Sequence, residues 1–568
     1  MSRNFVGRAH RTGPFVGARP FGARDRHLFH GRTATVNTLV DAWSGTRLTL
    51  LHGDAGVGKT SLLRAGAVPA LTDRGARVLP VGHLLLDPAF PSAVLPEQNP
   101  FTRALLASWN PGEFPTHGPG TSTTDFLRDH ERTDRYGRQR PLFAALDQTE
   151  PLLRAPDGPG PHRAALVDEL LVALDEHPGL HLLLTVRTEH LADLRRMIAA
   201  HGTDHTEVRV GALPPDSAVH ATARALDTAG VRRPLPVAER LVEEVRTVPG
   251  PPARGADTAA LTETVDPALL QTVGALLYAE GSDAFAADDV DHALAVHLSL
   301  VLEEVAAEHL VPRDLPHAWL RRAAAAGGPG APPPAADGVR DPDLTWGLVH
   351  TLQDRHLVAP GADGTGYRLR HPRLARPLAD LAAHPRIEAT PEPWTIADRV
   401  VVARRAHTRG EPDLAGEHAR RALRATPPPR PRERALLTSL LGDLAFERGD
   451  PAVAAAYYAE AAELLEAGGD GTGVARLLVA QSSSRLQAGQ RAAALDGLRA
   501  AAGRVHGDPS LRTGIGQALW RVGQSQSALD VLDSVLVGDR SASEARRTRN
   551  RIRAELTSAR GLTPRGSW

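Results

Sequence analysis

The chain has 568 residues, 66 of them basic and 66 acidic, and no cysteine. Balanced charge gives no field that would draw in nucleic acid or an anionic membrane. The lack of cysteine excludes a disulfide framework and a thiolate metal site, and no run of about 18 apolar residues is present to cross a bilayer.

A chain of this length suggests three or four domains. Residues 1–14 form a loose polar lead with arginines but no apolar stretch, which argues against a signal peptide and for a cytoplasmic protein. Residues 15–225 alternate strand-like and helix-like segments, as an α/β sheet domain requires. Within it, Arg47 to Leu51 reads as a buried strand and Ser61 to Ala65 opens a helix. Between them stands Gly53-Asp54-Ala55-Gly56-Val57-Gly58-Lys59-Thr60, a complete GxxxxGK[ST] phosphate-binding loop. Lys59 is the one lysine of the chain. Arginine replaces lysine on most surfaces, but this loop needs a compact ammonium that reaches the β- and γ-phosphates. The loop amides and the helix start, through Ser61, are expected to cradle ATP or ADP, with the Thr60 hydroxyl on Mg²⁺.

Downstream, Pro111–Thr124 is rich in Pro, Gly, Ser and Thr and reads as an inserted loop. An apolar strand then ends in Asp147-Gln148-Thr149-Glu150. Asp147 is the candidate to hold Mg²⁺ through water, and Glu150 to orient an attacking water. Ordinary surface acids at a strand end are the bland alternative. A third strand, Leu182–Val186, delivers Arg187 to the same sheet edge, either as a γ-phosphate sensor or as a surface ion pair. His201 and His205 have i, i+4 spacing without an HExxH setting, and no metal site is expected there.

Residues 226–385 read as helical, with linker-like stretches at Pro249–Gly255 and Gly327–Ala336 and a winged-helix-like segment over Leu348–Leu374. Residues 396–540 carry an internal repeat. Gly410, Gly449, Gly489 and Gly523 stand 39, 40 and 34 residues apart. Seven residues before each lies a small residue: Ala403, Gly442, Ser482 and Gly516. Five after each lies alanine, and nine after lies Ala419, Tyr458, Leu498 or Leu532. The pattern resembles the tetratricopeptide repeat, whose antiparallel helix pairs stack into a grooved solenoid. Residues 541–568 are a basic tail, read as a solvated helix end rather than a nucleic-acid contact. Its last stretch, Leu562–Ser567, resembles a protease-site scar. The expected fold is therefore an α/β P-loop NTPase domain, a helical and winged-helix lid, and an all-α tetratricopeptide-like solenoid.

Gly17-Ala18-Arg19-Pro20-Phe21, Asp25 and Leu28-Phe29-His30-Gly31-Arg32 resemble the entry motif of the bacterial STAND signal-transduction NTPases, in their novel type 1 branch. Asp147-Gln148-Thr149-Glu150 is similar to that branch's acidic motif, with Thr149 where an aromatic is usual. The resemblance runs on through Val265–Gln271 to Arg370-His371-Pro372-Arg373-Leu374, with Pro372 where Asp is common. It implies that Phe29, Gly31 and Arg32 flank the base and ribose, that Pro267 touches the base from the lid, and that His371 contacts the β-phosphate of ADP. It also implies a switch with slow ATP hydrolysis. ADP holds it shut, and a protein or peptide trigger on the repeats opens it. It then forms a homo-oligomer and engages a separate effector, in defence or stress signalling. Two other classes stay open. One is a DNA-binding winged-helix ATPase, against which the helix around Gly347–Leu352 counts because it is not basic. The other is a repeat scaffold with a structural nucleotide site.

Overall fold

The computed structural model describes residues 13–87, 89–95, 98–111, 122–133, 136–137, 139–153, 161–248, 260–280, 287–324, 344–361, 366–383, 394–505, 509–538 and 543–561. The linkers Pro249–Gly255 and Gly327–Ala336, most of the lead and of the Pro111–Thr124 loop, and the Leu562–Ser567 end lie outside them.

Five parallel strands form the first layer: β1 (Leu48–Gly53), β2 (Arg77–Val78), β3 (Leu142–Leu146), β4 (Leu180–Arg187) and β5 (Thr206–Arg209), in the order β2-β3-β4-β1-β5. The alternation of side chains across a strand divides the apolar residues between two cores. Leu48 and Leu50, Leu142 and Ala144, and Leu182 and Leu184 face helices that include Pro100–Trp109 and Pro161–Glu176. Leu51, Phe143, Ala145 and Leu183 face the helix Thr33–Gly45 and the helical run after the phosphate loop. Burial on both faces is why these strands read as near-continuous apolar runs. Because β4 lies between β1 and β3, the loop after β1 and the ends of β3 and β4 meet at one edge.

A second core joins the helices Pro215–Thr228, Pro234–Arg246, Pro267–Glu280, Ala287–His309, Asp314–Ala324 and Trp346–Asp354 to an antiparallel hairpin, Val358–Pro360 with Tyr367–Leu369. It takes in Phe15 from the start of the chain and Leu213, and the helix Pro215–Thr228 sides with it through Ala218 and Leu226.

Four antiparallel helix pairs follow: Ile396–Arg409 with Pro412–Leu423, Pro431–Glu447 with Pro451–Glu466, Gly471–Gln487 with Arg491–Ala502, and Pro509–Arg521 with Ser525–Gly538. The four periodic glycines sit in the turns at φ of 83°, 81°, 78° and 89°, a region that costs glycine no Cβ clash. The small column seven residues earlier faces the column nine residues later. A Cβ on Gly442 would come 2.6 Å from the Tyr458 ring, and one on Gly516 would come 2.8 Å from Leu532. The basic segment after the repeats is a helix, Ser543–Gly561, that buries Ala545 and Ile552 against them. Among the described residues no helix is long and apolar enough to cross a membrane.

Candidate functional site

The phosphate loop leaves β1 at Gly53, where a Cβ would come 2.3 Å from the Val210 carbonyl oxygen, so only glycine fits. It ends in a helical run that starts at Lys59–Ser61, passes through a π-turn at Leu62–Ala67 and continues as Val68–Asp73. Asp54 is exposed, whereas Ala55 and Val57 are buried and anchor the loop. Lys59 Nζ bends back and donates to the carbonyls of Gly53 (2.6 Å) and Asp54 (3.0 Å). Burial pushes its pKa down to about 8, against the pull of the Glu150 carboxylate. Thr60 Oγ1 donates to Asp147 Oδ1 at 3.2 Å. The Ser61 hydroxyl accepts from Phe21 N–H at 3.1 Å, which ties the entry segment to the loop helix.

The acidic edge is built by backbone. Asp147 directly follows β3 and is almost wholly buried. Its Oδ1 also accepts from Thr185 Oγ1 at 2.8 Å, and its Oδ2 lies 3.3 Å from Arg64 Nη2. Burial raises its pKa, and Arg64 opposes that rise. Gln148 adopts φ of 61°, and Thr149, where an aromatic is usual in the resembled branch, donates its hydroxyl and its N–H to the Thr185 carbonyl at 2.8 and 3.0 Å. That turn aims Glu150 inward, where its Oε1 stands 3.6 Å from Arg187 Nε. Thr60 Oγ1 and Asp147 Oδ1, 3.2 Å apart, are oxygen donors of the kind Mg²⁺ takes, so the chemistry of this pair fits Mg²⁺. Among the described residues no cluster of three His or carboxylate side chains could hold a metal alone, including around His201 and His205. His201 stands 3.3 Å from Asp175 and His205 stands 3.3 Å from Glu207.

Arg187 is buried and pairs with Asp354, at the end of the helix Trp346–Asp354, besides Glu150 and Glu189. Burial lowers its pKa, and the three carboxylates outweigh that effect and hold it above its ordinary value. The residues expected around the base, ribose and lid gather in part. Arg32 Nη2 donates to the carbonyls of Val57 (3.2 Å) and Gly211 (2.6 Å), so it braces the loop. Gly31, at φ 77°, lies against the helix Pro215–Thr228, where a Cβ would come 2.8 Å from the Ser217 carbonyl oxygen. Phe29 packs on Phe21 with ring centroids 5.5 Å apart. Pro267 opens its helix, capped by Asp266 Oδ1, which accepts from Ala268 N–H at 2.8 Å. Asp266 Oδ2 is in turn held by Arg370 at 2.6 Å.

The lid touches the loop at Gly56. A Cβ there would come 3.1 Å from Ala268 Cβ and 3.2 Å from the ring of His356. His356 is a residue that no motif in the sequence marks. It takes φ of 61°, its Nδ1 is buried and unpartnered, and desolvation together with the Arg370 charge pushes its pKa down to about 3. His371 sits elsewhere in the same element, where its Nδ1 accepts from Arg373 N–H at 3.2 Å and its charged neighbours are Asp266, Arg370 and Arg373.

Residues 14–253 match the family described as Novel STAND NTPase 1. The match covers the entry motif, the loop and the acidic edge, and ends before Val265–Gln271 and Arg370–Leu374. No curated protein matches the chain. Among solved structures, the Walker-type ATPase of Pyrococcus abyssi is 20% identical, over 64% of this chain and 98% of that one, at a TM-score of 0.39. The ORC2 protein of Aeropyrum pernix is 14% identical over 63% and 95%, at 0.32. A STAND protein with a tetratricopeptide repeat sensor from Pyrococcus horikoshii is 13% identical over 96% and 82%, at 0.26.

Proposed function

We propose that the chain, whose residues 14–253 match the novel STAND NTPase 1 family, is a nucleotide-dependent signalling switch that binds ATP or ADP with Mg²⁺ and hydrolyses ATP slowly. Bound Mg²⁺, which Thr60 and Asp147 would hold, would supply positive charge that offsets that of the phosphates. The Lys59 ammonium swings from the Gly53 and Asp54 carbonyls to the β- and γ-phosphates. Glu150 accepts a hydrogen bond from the attacking water. The observation that carries the reading is the double seam between loop and lid: His356 and Ala268 over Gly56, and Asp354 on Arg187. We assign the lid's phosphate contact to His356, where the family resemblance points to His371. A γ-phosphate near Arg187 competes with Asp354 for the guanidinium, so ATP loosens the lid and ADP leaves it shut.

In this reading the hairpin unit over Leu348–Leu374 is a winged-helix lid, the repeats receive a protein or peptide trigger, and the opened chain forms a homo-oligomer that engages a separate effector. Light scattering on the full chain tests it. A monomer with ADP should convert to a larger assembly with a non-hydrolysable ATP analogue plus trigger. One mass under both nucleotides, with the trigger present, would sink the switch.

A further inference from the structure

The segment between β2 and the helix Pro100–Trp109 does not stay on the sheet domain. It runs along the face formed by the first helices of all four repeat pairs. Leu86 N–H donates to Thr408 Oγ1 at 3.2 Å, and the Leu86 carbonyl accepts from Arg404 Nε at 2.8 Å. Phe90 lies between the guanidiniums of Arg103 (5.0 Å) and Arg476 (5.7 Å) and is buried in the repeat core. Ser92 N–H donates to Asp443 Oδ1 at 2.7 Å, on an oxygen that also accepts from Tyr458 OH at 2.8 Å. Val94 and Leu95 are buried in the same core, and a Cβ on Gly514 would come 3.0 Å from the Val94 carbonyl oxygen. The contacts follow peptide recognition by a groove: main-chain bonds at two points, an aromatic anchor, and aliphatic anchors four and five residues on.

The same segment begins at the candidate catalytic edge. Asp147 N–H donates to the Gly82 carbonyl at 3.0 Å, and Gly82 N–H to Ala145 at 2.8 Å. Three residues separate that ladder from the Leu86 contact. A pull on the segment is therefore a pull on the backbone that aims Asp147.

We propose that residues 86–87 and 89–95 are a built-in occupant of the repeat groove, and that the ligand the groove takes is a peptide of the same chemistry: an aromatic residue followed at the fourth and fifth positions by aliphatic ones, with a free backbone N–H two residues after the aromatic for Asp443. This names the trigger class of the switch proposed above and rests on that reading only for its consequence at the nucleotide. A tethered occupant competes at an effective concentration in the millimolar range, so the ligand must bind well or arrive multivalently.

The test uses the full chain and a fluorescent peptide of residues 84–95. Ser92→Pro removes the N–H offered to Asp443. Proline is tolerated there, because Ser92 opens a short 3₁₀ helix and Pro91 already has φ −56° and ψ 139°. The peptide should bind Ser92→Pro at least tenfold tighter than the wild type, and a peptide with alanine for Phe90 should bind neither. Equal affinity for both chains, or full binding by the alanine peptide, overturns the proposal. A second measurement needs no variant. Excess peptide should speed hydrogen exchange at the chain's own Val94 and Leu95 amides, and no acceleration overturns it as well. ADP dissociation is followed in the same samples. Peptide exchange with an unchanged ADP rate removes the switch and leaves the groove assignment standing.

Discussion

The sheet domain meets the rest of the chain at two seams of opposite character. Toward the lid the seam is ionic and polar: Arg187 with Asp354, and the His356 ring over Gly56. Toward the repeats it is apolar, with Phe90, Val94 and Leu95 sunk among alanines and leucines around one buried carboxylate. Ion pairs in a partly buried seam are rearranged by a competing charge, and phosphate is one. An apolar seam is indifferent to phosphate and yields to a ligand that buries comparable area. In the proposed switch, nucleotide and trigger would therefore have separate physical handles: an ionic one at the ends of β1 and β4, and an apolar one on the segment that follows β2.

The sharpest way to separate the handles is Lys59→Ala. Loss of a charge-assisted contact to phosphate costs about 3 kcal/mol, so affinity for Mg-ATP should fall at least about a hundredfold by titration calorimetry. Hydrogen-exchange protection of residues 86–95 should stay as in the wild type. If that protection falls too, the seams are one unit and the comparison breaks. Next in size is Glu150→Gln. Single-turnover hydrolysis should slow at least about tenfold, as loss of a positioned proton acceptor does, while ATP affinity stays within about threefold. A wild-type rate would assign the water to another residue. Third, His356→Ala should speed ADP release about tenfold, the worth of one buried hydrogen bond, and His371→Ala should leave it nearly unchanged. Stopped-flow release of a fluorescent ADP decides between them, and the reverse ranking would restore the role to His371.

The smallest effect lies in the apolar seam. Burial, and then the Glu447 charge, raise the Asp443 pKa to about 7. Because this folded value lies above the unfolded one, the folded chain holds the extra proton, and stability falls as pH rises from about 4 to about 7. Arg103, Tyr458 and His407 face the same cluster. Glu447 raises the His407 pKa against the effect of burial, so its contribution is also lost as pH rises. Asp443→Asn, neutral throughout, should melt about 2–4 °C above the wild type at pH 8 and no higher at pH 5. Parallel melting curves across that range would mean that Asp443 is charged in the fold.

The phosphate loop and the repeat turns were legible in the sequence because backbone geometry alone dictates them. Gly53 has no room for a Cβ, and the four turn glycines occupy a left-handed region. Asp147, Glu150 and Arg187 could be placed at one edge because strand ends in a parallel sheet converge. Their partners could not. Asp354 and His356 reach the site through the fold of the second core, and nothing in Asp354-Arg355-His356 marks either as facing a nucleotide. The groove occupant was hidden for a similar reason. Leu84 and Leu86 have an apolar character that fits the sheet domain, whose core does bury them, and only the tertiary structure shows that Leu86 N–H, Phe90 and Ser92 N–H meet residues several hundred positions later.

Lys59 carries the one lysine side-chain amine in 568 residues, and it is folded back onto its own loop carbonyls. An endoprotease specific for lysine therefore has a single peptide bond to attack, the one to Thr60. Cleavage needs that bond drawn out of the loop, so its rate follows the opening of the loop rather than the surface of the chain. A gel showing one cut, timed with and without nucleotide, would read the occupancy of the site without any label.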